Sequence, residues 1–154
     1  MKRLVRVAGQ SMAPTYRPSD LLLTRRVGRG GTSVARRGDV VVFRRGEVLM
    51  IKRVVGLPGD LVKMEAGRLS VNGKSVDGRP RAPGAFTETW RVPGDSYFLV
   101  GDNPAVSDDS RVWDEPFVAA GSVEAVVTRR LVGRPRWPRR LTSRRPVAAA
   151  GRAA

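Results

Sequence analysis

Two residues have types and surroundings that could do covalent chemistry, and the first is a serine. Ser11 lies in GQSMAPT, where Gly9 allows a tight bend and Pro14 ends regular structure. A serine on such a bend can present its hydroxyl and its own backbone N–H to a substrate, as a nucleophile with an oxyanion donor requires. The same segment is also typical of an ordinary turn serine.

The second is a lysine in the most apolar stretch, VLMIKRVV at residues 48–55. On a strand, Met50, Lys52 and Val54 share one face, while Arg53 lies on the other. A buried lysine can lose its proton, since moving its pKa from about 10.4 to about 7–8 takes roughly 4 kcal/mol of desolvation. An arginine stays charged. The pattern indicates either a general base at Lys52 or an edge-strand lysine that extends to water.

The composition narrows the chemistry further. The 154 residues include no histidine and no cysteine, which excludes a Ser-His-Asp triad, Cys-His catalysis and zinc sites built on thiolate or imidazole. Lysine is then the side-chain nitrogen base on offer, with the N-terminal amine as its competitor. We expect no metal and no cofactor. Without cysteine, the redox compartment stays undetermined.

A third segment, GDNPAVSDDSR at residues 101–111, combines three acids, two serines and one arginine. Asp102, Asp108 and Asp109 do not have the regular acidic spacing and terminal Glu of an EF-hand calcium loop. On its own the segment is also typical of a polar turn.

Short strands must position these residues. Apolar runs alternate with Gly, Pro and Asp, and Asn72-Gly73 marks a hairpin because both turn positions need positive φ. The predicted strands are residues 4–7, 20–26, 39–43, 48–55, 61–65, 68–71, 74–76, 96–100 and 123–131. One or two helical turns are predicted over 115–120, and 79–94 is predicted as an irregular loop. The sequence thus predicts a mostly β domain over residues 1–133.

The charge is unevenly distributed. Lysine and arginine number 29 against 14 acids, a net charge of +15. Residues 134–154 carry seven arginines and no acid, which leaves 22 basic and 14 acidic residues, a net +8, in residues 1–133. This basic tail is predicted to be disordered. It is typical of a solvated tail, or of one attracted to an anionic membrane surface at about 1 kcal/mol per basic residue. No motif indicates specific nucleic-acid binding.

The sequence predicts neither a transmembrane helix nor a signal peptide. No run reaches about 18 apolar residues. The basic start MKRLVRVAGQ lacks an apolar core.

Together the segments resemble the bacterial type I signal peptidases, a family of serine–lysine peptidases. Four family boxes occur in order, at residues 9–15 (GQSMAPT), 37–43 (RGDVVVF), 51–60 (IKRVVGLPGD) and 101–111. The match spans residues 7 to about 127, and four boxes in order are far more specific than any one. The resemblance implies a signal-peptidase-like β fold and a place at the extracytoplasmic face of the cell membrane. We expect a monomer.

The resemblance also implies roles for individual residues. Ser11 would attack the scissile carbonyl, and Lys52 would take its proton and later activate the deacylating water. Ser107 would hydrogen-bond and orient the lysine amine. Asp109 and Arg111 would form a structural ion pair beside the site.

Further implications concern the substrate. Met12 would pack near the substrate groove, and the backbone N–H of Ser11 would stabilise the oxyanion. Pre-proteins would bind as an added β-strand, and shallow pockets would select Ala-x-Ala before the cut. Gly9 stands where some members have a serine whose hydroxyl assists the oxyanion hole, so that donor is absent here.

Two departures from the family pattern bear on these expectations. Tyr16 and Pro104 replace a usual Leu and a common basic residue, which should affect loop packing. Only ten residues precede Ser11, where relatives carry transmembrane helices. Either the true start lies upstream or the chain is an unanchored member, peripheral or cytoplasmic. Small unanchored relatives include those linked to maturation of nickel superoxide dismutase precursors.

Two rival functions are weaker. SOS-repressor autoproteases share the serine–lysine pair, but the Ala8-Gly9 bond lies too close to Ser11 to be their cleavage site. A non-catalytic basic domain that binds membranes or nucleic acid is the other rival. The tail also contains AAAG at residues 148–151, which suggests self-cleavage after Ala150.

Overall fold

The structure is a computed structural model that describes residues 1–28, 35–76, 84 and 86–132. About half of these described residues are strand and about 3% are helix, which confirms the predicted mostly β fold. The basic tail, and residues 79–83 and 85 of the predicted loop, lie outside the described residues. The division at residue 133 stays a prediction.

Eleven strands form two antiparallel sheets in the described part of the chain. The larger sheet has the order β1-β2-β11-β3-β4-β9-β10. Its strands are β1 (Lys2–Arg6), β2 (Leu21–Arg26), β3 (Val40–Arg45), β4 (Val48–Gly56), β9 (Ser96–Val100), β10 (Phe117–Ala119) and β11 (Val123–Val132). The smaller sheet has the order β7-β6-β5-β8, formed by β5 (Leu61–Glu65), β6 (Arg68–Val71), β7 (Lys74–Ser75) and β8 (Glu88–Arg91).

The two faces of β4 and β9 contribute to different cores. One core lies against the larger sheet and includes Phe43, Val54 and Leu99. The other joins the two sheets, and there Phe98 packs on Trp90 with ring centroids 4.8 Å apart. All five residues of β9 are buried, because this strand is covered on both sides. The continuous apolar run at 96–100 is the sequence signature of that position.

Most predicted strands are confirmed to within one or two residues, and the Asn72-Gly73 turn has φ of 51° and 79°. The predicted helical turns at 115–120 are wrong. Residues Phe117–Ala119 form β10, because they pair with the edge of β9, and a single 3₁₀ turn follows at Ala120–Ser122. The predicted loop at 79–94 also contains β8, where Trp90 packs between the sheets.

Candidate active site

Ser11 lies on a bend just after β1 and is held there by the segment that follows β9. Gly9 has a φ of 73°, which the bend requires and which glycine adopts at little cost. The backbone N–H of Asn103 donates to the Ser11 carbonyl at 2.9 Å, and the Asn103 amide donates to the Gln10 carbonyl at 3.1 Å. Asn103 therefore holds the loop that carries the hydroxyl through two hydrogen bonds.

Lys52 projects from β4 toward this bend, and its Nζ donates to the Ser11 Oγ at 2.7 Å. The residue is 3% exposed. Burial lowers the pKa of Lys52, the Asp109 and Asp108 carboxylates partly oppose this, and Arg111 lowers it further. An amine in this setting can shed its proton and accept one from the serine hydroxyl.

Asp109 and Arg111 form the buried ion pair that the resemblance implies. Asp109 is fully buried, and Arg111 binds both of its carboxylate oxygens, with Nε at 2.9 Å and Nη2 at 2.6 Å. Burial by itself would raise the pKa of Asp109. The hydrogen bonds and charge of Arg111, joined by Ser107 and the Gly101 N–H, hold that pKa below its ordinary value. The carboxylate therefore stays charged near Lys52.

Ser107 differs from the expectation in its partner. Its hydroxyl donates to Asp109 Oδ2 at 2.5 Å, because a carboxylate is a stronger acceptor than an amine. Among the described hydrogen bonds, that of the Lys52 amine goes to Ser11. Ser107 thus holds Asp109, whose charge raises the pKa of Lys52, and the direct contact between Ser107 and Lys52 stays a prediction.

A second, partly buried network was not recognised from the sequence. Arg53 binds both carboxylate oxygens of Asp102, at 2.9 and 2.6 Å, and Thr15 Oγ1 donates to the same carboxylate at 2.7 Å. This carboxylate ties the loop after Ser11 to β4. The position of Arg53 in an apolar strand could have indicated that it needs an acidic partner. The sequence could not identify that partner, because Asp102 lies 49 residues away.

Gly101 also has a function that the sequence did not reveal. A Cβ built there would lie 2.1 Å from Ser107 Oγ and 2.6 Å from the Ser11 carbonyl oxygen. These distances are far inside van der Waals contact. Glycine is therefore the residue that lets the chain after β9 pass between the nucleophile loop and Ser107.

A groove of about 490 Å³ begins at Ser11 and Lys52. One wall comes from β1 and the bend, and the other is Val48–Lys52 of β4. That half of β4 pairs with β3 on one side only, since β9 pairs with residues 53–56. Met12 is buried beside Ser11, but the groove lining does not include it. Two facing strand edges with an apolar floor can accept an extended peptide.

No group of three acidic residues in the described ranges could hold a metal ion. No helix within those ranges is long and apolar enough to cross a membrane.

Comparison with known proteins identifies the class. The family model described as "Signal peptidase, peptidase S26" matches residues 2–135. The chain therefore belongs to the signal peptidase family, peptidase S26, as the sequence motifs predict.

Individual relatives agree with this. A probable signal peptidase I-2 of Synechocystis is 35% identical over 116 residues, covering 70% of this chain and 53% of that protein. Signal peptidase I V of Bacillus subtilis is 36% identical over 122 residues, covering 69% and 73%. The chain thus spans about half to three quarters of these two relatives.

A solved structure is also similar. The crystal structure of a signal peptidase I from Enterococcus faecalis matches with a TM-score of 0.52 and 32% identity. The match covers 62% of this chain and 98% of that one.

Proposed function

We propose that the chain is a serine endopeptidase that cleaves signal peptides from pre-proteins, with Ser11 as nucleophile and Lys52 as general base. One observation carries the proposal, namely the 2.7 Å contact between Lys52 Nζ and Ser11 Oγ at a buried amine. The family to which the chain belongs supplies the substrate class.

The reaction begins with a neutral Lys52. As the Ser11 Oγ attacks the scissile carbonyl, its proton moves to Nζ, and the negative charge develops on the carbonyl oxygen. The backbone N–H of Ser11 is the donor we assign to that oxyanion. The lysine then returns the proton to the leaving amine, which produces an acyl-enzyme on Ser11.

Deacylation uses the same two residues. Lys52, neutral again, removes a proton from water, and the resulting nucleophile attacks the ester carbonyl. Collapse of the second oxyanion releases the new carboxyl terminus, and Lys52 returns its proton to Oγ, which restores the Ser11 hydroxyl. A base that serves both half-reactions must keep a depressed pKa throughout, which the burial of Lys52 favours.

The groove supports an extended substrate. A strand placed between β1 and Val48–Lys52 would complete the backbone hydrogen bonding of both edges. Side chains would alternate toward and away from the apolar floor. We propose that small residues are selected next to the cut, in the Ala-x-Ala pattern, and that the enzyme works at a membrane surface.

Two substitutions test the dyad on a reporter peptide with an Ala-x-Ala site. Ser11→Ala and Lys52→Met should each lower kcat/KM by at least about 10²–10⁴-fold, the range for loss of a general base. Lys63→Met is the matched control, because Lys63 lies on the smaller sheet in an exposed pair with Glu65. A Lys52→Met enzyme as active as Lys63→Met would refute the lysine base. Failure of the unaltered protein to cleave the reporter would favour the non-catalytic rival.

A further inference from the structure

Trp113 attaches the segment that follows β9 to the end of β3. Its ring meets that of the buried Phe43 edge to face, with centroids 6.3 Å apart. The guanidinium of Arg45 lies over the Trp113 ring, 3.9 Å from its centroid. Edge-to-face ring pairs and cation–π contacts are both favourable. The half-buried indole is therefore held against β3 by two contacts.

The same residue contacts the acidic side of the site. Its Nε1–H donates to Asp108 Oδ1 at 2.9 Å, and its backbone N–H donates to the Asp109 carbonyl at 3.2 Å. Asp108 is exposed, and an exposed side chain without a partner moves among several rotamers. The hydrogen bond from the Trp113 indole therefore decides where the Asp108 carboxylate lies.

The place of that carboxylate matters because its charge acts on Lys52. Burial lowers the pKa of Lys52, Asp109 and Asp108 raise it, and Arg111 lowers it further. Asp109 is buried and held by two nitrogens of the Arg111 guanidinium. Asp108 is instead held at the surface by Trp113. Of the two carboxylates, Asp108 is thus the one whose position a single contact controls.

The other elements around Lys52 bring different side chains. β3 places Val41 opposite Lys52, and β1 contributes Arg6 to the same groove. Arg53 lies on the other face of β4 and is paired with Asp102. Both carboxylates that act on the amine therefore belong to the part of the segment after β9 that ends at the indole.

From these contacts we propose that Trp113 is a positioning residue for the reaction, whose indole N–H holds the Asp108 carboxylate where that charge acts on Lys52. The proposal rests on the proposed endopeptidase function. A held carboxylate stabilises the protonated amine, whereas a released one extends into water, where solvent and salt screen it. Trp113 therefore helps to set the pH range in which Lys52 is neutral and can act as the base.

The pH dependence of Trp113→Phe tests this assignment. The variant keeps an aromatic ring for Phe43 and Arg45 but removes the N–H that Asp108 accepts. Because the released carboxylate stabilises the protonated Lys52 less, the rise of kcat/KM on the Ala-x-Ala reporter should begin at lower pH. Below the midpoint, kcat/KM divided by the variant's own plateau should exceed that of the unaltered enzyme roughly two- to fourfold, the size expected of one partly screened charge.

Division by the plateau separates positioning from general damage. A variant that only loosens the site loses activity at every pH, so its divided profile keeps the midpoint of the unaltered enzyme. A midpoint of Trp113→Phe that is unmoved, or that moves to higher pH, would overturn the proposal. Trp90→Phe is the matched control, because Trp90 also packs on a phenylalanine, Phe98, but lies on the smaller sheet. Equal shifts in both variants would assign the effect to packing and refute the positioning role.

A double substitution shows whether Trp113 acts through Asp108. In an Asp108→Asn enzyme the charge to be positioned is gone, so adding Trp113→Phe should leave the midpoint where Asp108→Asn alone puts it. This non-additivity is the mark of two residues in one interaction. If Trp113→Phe shifts the midpoint equally with and without the Asp108 charge, the indole acts by another route and the proposal is wrong.

A second variant covers the case in which Trp113→Phe does not fold. Benzothienylalanine in place of Trp113 keeps the size and shape of the indole and replaces the N–H with sulfur. It should shift the midpoint to lower pH as Trp113→Phe does, and an unmoved midpoint would count equally against the proposal.

The proposed function can fail separately from the role of Trp113. If the unaltered enzyme does not cleave the reporter, or if Lys52→Met keeps its activity, the serine–lysine mechanism is wrong and the positioning role is wrong with it. An enzyme that needs both Ser11 and Lys52, but whose midpoint Trp113→Phe leaves unmoved, would refute the positioning role alone.

Discussion

Lys52 owes its chemistry to a balance between burial and two carboxylates. Burial is the largest influence and lowers its pKa, while Asp109 and Asp108 raise it. Asp109 is buried and paired with Arg111, whereas Asp108 is exposed and accepts a hydrogen bond from Trp113 Nε1 at 2.9 Å. Two carboxylates therefore raise the pKa of the amine: Asp109, whose charge is paired with Arg111, and Asp108, which is exposed to solvent.

Removing the exposed Asp108 carboxylate tests whether Lys52 is the base. Asp108→Asn keeps an acceptor for Trp113 but removes a charge that raises the pKa of Lys52. Because the neutral amine is the active form, the rise of kcat/KM with pH should begin at lower pH in this variant. A pH–rate profile measures the shift, with Asp114→Asn as the control for loss of a nearby exposed charge. An unmoved or raised midpoint would contradict the assignment of Lys52 as the titrating base.

At the scale of elements, the site depends on how closely three segments approach one another. The bend after β1 supplies Ser11, β4 supplies Lys52, and the segment after β9 crosses beside the Ser11 bend. Gly101 is the point of closest approach, with Ser107 on one side and the Ser11 carbonyl on the other. The bidentate pair of Arg53 with Asp102 holds the same segment to β4.

A methyl group at that crossing should separate the segments. Gly101→Ala should lower kcat by about 10²-fold, since displacements near 1 Å at a reacting group have costs of this size. It should also destabilise the fold by about 1–3 kcal/mol through overpacking. Gly121→Ala is the matched control, because a Cβ there meets open space. Turnover and urea unfolding measured on both proteins check the prediction, and wild-type kcat in Gly101→Ala would contradict it.

For the whole molecule, the junction of the two sheets is the main structural constraint outside the site. Val55, Phe98 and Val100 of the larger sheet pack against residues of the smaller one. Gly56 ends β4 at this junction, where a Cβ would lie 2.8 Å from the Phe98 Cβ and 2.9 Å from both Val62 and Val92. The sheets can approach this closely only without a side chain there.

Stability and activity should therefore separate at Gly56. Gly56→Ala should reduce the free energy of unfolding by about 1–3 kcal/mol, which is a fall in Tm of roughly 3–10 °C for a domain of this size. The turnover of the folded enzyme should change little, because the junction lies on the opposite face of β4 from Lys52. Gly94→Ala, at a position with open space, provides the control. If Gly56→Ala melted at the same temperature as Gly94→Ala, the two sheets would be able to move apart without cost, and the prediction would be wrong.

The sequence alone determined the strands, their punctuation and the two residues proposed to react. Local sequence patterns are sufficient for these features. Alternation along VLMIKRVV places Lys52 and Arg53 on opposite faces of the strand, and the Asn72-Gly73 turn needs positive φ in any surroundings. The absence of histidine and cysteine by itself restricts the side-chain nitrogen base to lysine. Periodicity missed β8 and β10, because such short strands exist through pairing and packing with distant residues.

Only the tertiary structure decided how charges are partnered. Arg53 and Thr15 both bind Asp102, although 49 and 87 residues separate them from it in the chain. Ser107 donates its hydroxyl to Asp109. Electrostatic energy depends on distance and on burial in three dimensions, and neither is encoded in local spacing. The net charge of +8 over residues 1–133 could be counted from the sequence, but which of these charges pair with each other, as Arg53 does with Asp102, required the fold.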